Sequence, residues 1–145
     1  MTPYLRPPAG LRRRLRLLAR TVVTLGRVEL NARRVPLPQL CERFGVELAG
    51  FTPPVQPTEL LPFDLAARWW AVETTLKWWP FARQRPCLRR SLVLGHDLRA
   101  FAPHLCLTIV SAEPFLAHAW LVVRGQHLDM GPATGQMTRS VSEAA

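Results

Sequence analysis

Residues Phe115 to Asp129 read FLAHAWLVVRGQHLD. The run from Ala117 to Val123 leads into Arg124-Gly125 and leaves through Gln126, which predicts two antiparallel strands joined by a tight turn. In the first strand Ala117, Ala119, Leu121 and Val123 share one face, while His118, Trp120 and Val122 share the other. A core strand needs neither an imidazole nor a carboxylate, and burying either without a partner costs free energy. If the turn holds two residues, Val123 pairs with Gln126 and Trp120 with Asp129, which brings Asp129 onto the face of His118, one diagonal away. A three-residue turn sends Asp129 to the opposite face, so the argument depends on register.

Working toward the N-terminus, LCLTIV (105–110) reads as a further strand. Before it, RPCLRRSLVLGHDLRAF (85–101) places Pro86 at a first helical position and Leu88, Leu92 and Leu98 on or near one face, with Gly95 leaving the helix end open. Leu65, Trp69, Val72, Leu76 and Trp79 step by four and three, which predicts a helix over 63–79 whose tryptophans pack in the core. The four prolines of GFTPPVQPTELLP (50–62) exclude regular helix or central strand there. Further back, PLPQLCERFG (36–45) reads as a short helix with Gly45 at its end and Cys41 as a small core residue. The steps Leu11, Leu15, Leu18, Val22, Leu25 predict a longer helix over 11–31 with that stripe as its apolar face. The expected organisation is α+β: a basic helical segment 1–49, a Pro-rich linker 50–62, a core 63–130 and a flexible tail 131–145.

At 145 residues the chain is long enough to bury a core. Of its formal net charge of +9, residues 1–34 carry nine Arg against Glu29 alone, so the basic character belongs to the N-terminal segment that contains the first helix. That helix is interrupted by Arg16, Arg20, Arg27 and Glu29, and matches neither a membrane span nor a secretory signal. Cys41, Cys87 and Cys106 are odd in number and form no CxxC pair, so a disulfide framework is not expected and a cytoplasmic protein is. His104 and Cys106 do not have the spacing of a structural zinc site, and neither a metal nor another cofactor is expected.

Cys87 differs from the other two cysteines in position. It falls in the first turn of its helix, where unpaired N–H groups and the helix dipole favour a thiolate, with Arg85, Arg89 and Arg90 nearby. A nucleophile at a helix start, an imidazole on a strand and a carboxylate on the next strand have the order of covalent acyl transfer. In that scheme His118 handles the Cys87 proton and Asp129 fixes the ring tautomer. The Cys87 N–H is the natural first oxyanion donor, and Gln84 is a candidate for the second.

The segments CLRRSL (87–92) and PFLAHAWLVVRGQ (114–126) resemble the transglutaminase-like cysteine peptidases of lasso peptide biosynthesis. The similarity spans about residues 60 to 130, and the helical N-terminal part looks like the stand-alone form of that family. Leu121-Val122-Val123 departs from it, since Val-Glu is common after the histidine. The resemblance implies a transglutaminase/papain-like core in which the catalytic cysteine starts a helix packed on a small antiparallel sheet. It implies Cys87, His118 and Asp129 as the catalytic residues and a leader peptidase as the activity. The expected partners are the leader-core precursor, a separate leader-recognition protein and the ATP-dependent cyclase that closes the macrolactam. A different reading takes the arginine-rich helix as a nucleic-acid-binding or partner-docking module without catalysis. No recognised nucleic-acid motif accompanies it, so no specific nucleic acid is expected, while docking to a protein or an anionic membrane surface is compatible with the peptidase reading.

Overall fold

A computed structural model describes residues 7–52, 54–57, 65–81, 86–111 and 116–128, with the backbone alone at 110, 111 and 116. The elements are α1 (Leu11–Ala32), α2 (Leu37–Arg43), β1 (Glu47–Gly50), α3 (Leu65–Trp78), α4 (Pro86–Asp97), a 3-10 turn (Arg99–Phe101), β2 (His104–Ser111), β3 (Leu116–Val123) and β4 (Gln126–Leu128). The sheet runs in the order β1-β2-β3-β4. Helices on a small mixed sheet make the fold α+β, as the pattern of periods predicts. The tail expected over 131–145 lies outside the described residues.

The hairpin follows the two-residue alternative. Val123 pairs with Gln126, Val122 with His127 and Leu121 with Leu128. Arg124 and Gly125 both have positive φ, 47° and 77°, as a type I′ turn requires at its two central positions. Gly125 is needed for a second reason: a Cβ there would lie 2.8 Å from the carbonyl oxygens of Gln56 and Pro57. The proline-rich segment thus crosses directly over the turn, and only a glycine lets the two backbones approach so closely.

β2 and β3 pair antiparallel from His104↔Val122 to Ile109↔Ala117. β1 is a strand that the sequence pattern did not reveal, because four residues are too few to show alternation. It pairs parallel to β2, with Glu47 opposite His104 and Leu48 opposite Leu105. A parallel neighbour needs a long crossover, and α3 and α4 lie within the one between β1 and β2.

α4 covers the sheet and continues through Gly95 to Asp97, so glycine does not end it. A Cβ at Gly95 would sit 2.6 Å from Cγ2 of Val46 and 3.3 Å from Cδ2 of Leu121, so close packing on the sheet accounts for the residue. Leu92, Leu94 and Leu98 of this region join Leu105, Ala119, Leu121, Val123 and Leu128 of the sheet in one core. Leu25 and Val28 of α1, Leu40 and Phe44 of the α2 region, and Trp69, Val72 and Leu76 of α3 belong to the same cluster. The α3 stripe is therefore the core face read from the sequence, with Trp69 buried and Trp79 partly so.

The α1 stripe is not. Leu11, Leu15 and Val22 are exposed, and the buried face consists of Thr21, Thr24, Leu25, Val28 and Glu29. The threonine hydroxyls bond back to the carbonyls of Leu17 and Arg20, so they enter the interior already satisfied. Glu29 turns inward because Arg89 of α4 pairs with both its oxygens and the Trp79 indole N–H donates to Oε1 at 3.2 Å. An inward carboxylate with a bidentate arginine partner fixes the rotation of the helix more firmly than aliphatic periodicity does.

Candidate active site

Cys87 lies in the first turn of α4, directly after Pro86, whose missing N–H costs nothing at a helix start. Its thiol hydrogen-bonds to the His118 side chain and accepts from the backbone N–H groups of Ala119 and Leu88. Burial would raise the thiol pKa. The His118 hydrogen bond and charge and the two amides outweigh it, so the pKa is lowered from its ordinary value of 9.0. The helix N-terminus acts in the same direction, and Leu88 N–H is one of its unpaired donors.

β3 supplies the other half of the contact. His118 and Trp120 share a face, as period-two alternation requires, with rings stacked at 6.2 Å between centroids and 15° between planes. Trp120 packs with Cys106 and Val122 in a second apolar cluster, so the imidazole rests against a fixed indole. The described pairs of β4 stop at Leu121, and just beyond them the start of α4 takes both backbone groups of Ala119. Its N–H goes to Cys87, and its carbonyl accepts from the Ser91 hydroxyl at 3.4 Å. Ser91 is four residues after Cys87 and so on the same side of the helix.

The neighbouring arginines act differently from the expectation. Arg89 pairs with Glu29 and Arg90 with Glu73, so their charges are taken up by carboxylates and not by the sulfur. Arg85 and Gln84 lie outside the described residues, as does Asp129. Cys41 and Cys106, both buried, have thiols that burial pushes up to about 11. Among the described residues no three of His, Cys, Asp and Glu converge on a point that could hold a metal ion.

Two clefts flank the start of α4. One of about 580 Å³ lies between α1, α2 and α4 and is lined by Val28, Glu29, Leu40, Leu88 and Arg89 among others. The other, about 470 Å³, includes Trp70, Glu73, Lys77, Pro86 and Arg90. Neither cleft is lined by Cys87 or His118 themselves.

The structure brings together Cys87 and His118, both named from the sequence, and adds Ala119, Leu88 and Ser91, which the sequence did not point to. Two of these act through backbone N–H groups, which no side-chain pattern encodes, and only the i, i+4 spacing of Cys87 and Ser91 offered a signal. What the arrangement can do is hold a thiolate beside an imidazole, the starting state of nucleophilic attack on an acyl group.

Residues 11–142 match the family model of the Transglutaminase-like superfamily. No curated protein and no solved structure gives a significant match.

Proposed function

Because the chain belongs to the transglutaminase-like superfamily, we propose that it is a cysteine endopeptidase that removes the leader from a lasso peptide precursor. The observation that carries this reading is the contact between the Cys87 thiol and His118, with the thiol pKa lowered. The thiolate attacks the carbonyl carbon of the bond between leader and core. The Cys87 backbone N–H, at the helix start, faces the developing oxyanion. His118 gives its proton to the leaving amine, which becomes the free N-terminus of the core, and then activates the water that releases the leader from sulfur.

In this proposal Asp129 orients the His118 ring. The register on which that assignment was built, Val123 with Gln126, is the one observed over the three described pairs of the hairpin. The chemistry needs no cofactor. A separate protein presents the leader, and an ATP-dependent cyclase joins the freed amine to a side-chain carboxylate. The reaction is assigned to the cytoplasm, where the precursor is synthesised. The narrower specificity comes from the resemblance of CLRRSL and PFLAHAWLVVRGQ to the lasso peptide leader peptidases, within the broader superfamily match.

The test is incubation with a candidate precursor and its recognition protein, followed by mass spectrometry. Cleavage at one bond is expected, with Cys87→Ala and His118→Ala both inactive while their unfolding curves show an intact fold. Cleavage retained in either variant removes the mechanism.

A further inference from the structure

The outer side of α1 is not explained by catalysis. Leu11, Leu15, Val22, Val23 and Leu30 are 71%, 57%, 45%, 64% and 63% exposed, although each is a residue that folding normally hides. At 100° per residue Leu11, Leu15 and Val22 fall within about 40° of one another, and Val23 and Leu30 lie about a quarter turn further round, so the five span one broad face. Arg16, Arg20 and Arg27 follow the edge of that strip, and Arg12 lies within it. The only acid of α1, Glu29, is turned inward onto Arg89. Asp97 approaches Arg20 at 3.9 Å, and Arg27 lies over the Phe44 ring, so Arg12 and Arg16 near the helix start are the cations best placed to meet something outside.

We infer that this face of α1 lies on an anionic membrane surface. Leu11, Leu15, Val22, Val23 and Leu30 enter the boundary between headgroups and acyl chains, and the arginine row meets the lipid phosphates. The helix has 22 residues, about 33 Å, and this broad face lies beside the side that Leu25, Val28 and Glu29 fix to the protein core. It therefore presents a ridge, which an interfacial helix uses and a lock-and-key partner does not.

From Leu11 to Leu30 the exposed positions of α1 are Leu, Val, Ala and Arg, the pairing of aliphatic and cationic side chains that suits an anionic lipid interface. Among the described residues no helix is long and apolar enough to cross a bilayer, so the contact is a surface one.

The test is sedimentation of the full chain with vesicles of phosphatidylcholine alone and with about one-third phosphatidylglycerol, at about 0.1 M salt. Binding to the anionic vesicles and not to the neutral ones is expected. Leu15→Gln with Val23→Gln, which leaves the charge unchanged, should lower partitioning at least about tenfold, since apolar area and charge act together. Arg12→Gln with Arg16→Gln should lower it roughly tenfold or more. All four positions are exposed, so thermal unfolding should be unchanged in both double variants.

No binding to anionic vesicles overturns the inference. So does binding that the Leu15 and Val23 changes leave undiminished, because charge alone would equally attach the chain to DNA or an acidic polypeptide. The measurement reads partitioning and not cleavage, so its failure leaves the reading of Cys87 untouched.

Discussion

Cys87 at the start of α4 is half-buried and Cys106 in the middle of β2 is buried, yet they titrate in opposite directions. Burial raises both thiols. Cys106 has nothing to oppose it and moves up to about 11, whereas Cys87 meets His118 and the amides of Ala119 and Leu88 and moves down. The difference lies in backbone geometry. A helix start, and the side of β3 at Ala119 that meets α4, offer donors that are not taken up by a neighbouring strand among the described residues. Reactivity here is a property of where an element ends, not of how deep its residue sits.

Removing His118 should break the contrast most completely. In His118→Ala the Cys87 thiol loses its largest opposing interaction and burial prevails, so its pKa should rise toward that of Cys106. Alkylation by iodoacetamide across pH, read by peptide mass spectrometry, should show Cys87 reacting at lower pH than an ordinary thiol in the native chain, with Cys41 and Cys106 protected. In His118→Ala the Cys87 rate at neutral pH should fall by a factor on the order of a hundred. An unchanged profile would mean that the imidazole does not set the thiol.

The next effect concerns what holds the start of α4 in place. Arg89, two residues beyond Cys87, pairs with the inward Glu29, and both side chains are nearly buried. Breaking one partner of such a pair leaves a buried charge, which typically costs about 3–5 kcal/mol. Arg89→Met should therefore lower stability by about 3 kcal/mol in urea unfolding. The double variant Arg89→Met, Glu29→Leu should recover a large part of that loss, because no charge is then stranded. Loss without recovery would assign the cost to packing instead.

The two buried thiols predict a pH dependence of opposite sign to that of Cys87. Cys41 and Cys106 keep their protons in the folded state up to about 11, while an exposed thiol gives its proton up near 9.0. Above pH 9 the unfolded chain binds fewer protons than the folded one, so stability falls as pH rises from 9 to 11. Each thiol accounts for about 2 kcal/mol of that fall. Cys106→Ala should flatten the decline by that amount when unfolding midpoints at pH 8 and 10.5 are compared. Cys87, whose folded pKa is depressed, contributes in the reverse sense: its share is present above the unfolded value and lost as pH falls through the folded one.

The same contrast explains what the sequence disclosed. The choice between a two- and a three-residue turn at Arg124-Gly125 was open until the pairing of Val123 with Gln126 decided it, whereas strand alternation placed His118 and Trp120 on one face, a local rule visible in a few residues. The α3 stripe was legible for the same reason. The face of α1 was not, because Glu29, a charged residue, turned inward for a partner sixty positions away while leucines stayed outside. Nor could pattern show β1, which is four residues long, or the role of Gly95, whose neighbours Val46 and Leu121 come from distant parts of the chain. The donors to the Cys87 sulfur were hidden for a simpler reason: every residue but proline carries a backbone N–H, so composition cannot say which one is aimed.

Ser91 offers the smallest and most local test. Its hydroxyl donates to the Ala119 carbonyl while the Ala119 N–H serves Cys87, so one strand residue is gripped twice by a single helix, one turn apart. In Ser91→Ala the buried carbonyl loses a partner, and a hydrogen bond of this kind is worth about 1 kcal/mol. The bond is long at 3.4 Å, which places the expected loss at or below that figure. If the grip also sets how closely β3 approaches the sulfur, the alkylation profile of Cys87 should move to higher pH, whereas Cys106→Ala should leave it in place. A loss of stability with no movement of the Cys87 profile would make Ser91 a packing residue only. A shift of that profile would show that this helix-to-strand contact tunes the thiol through the strand amide.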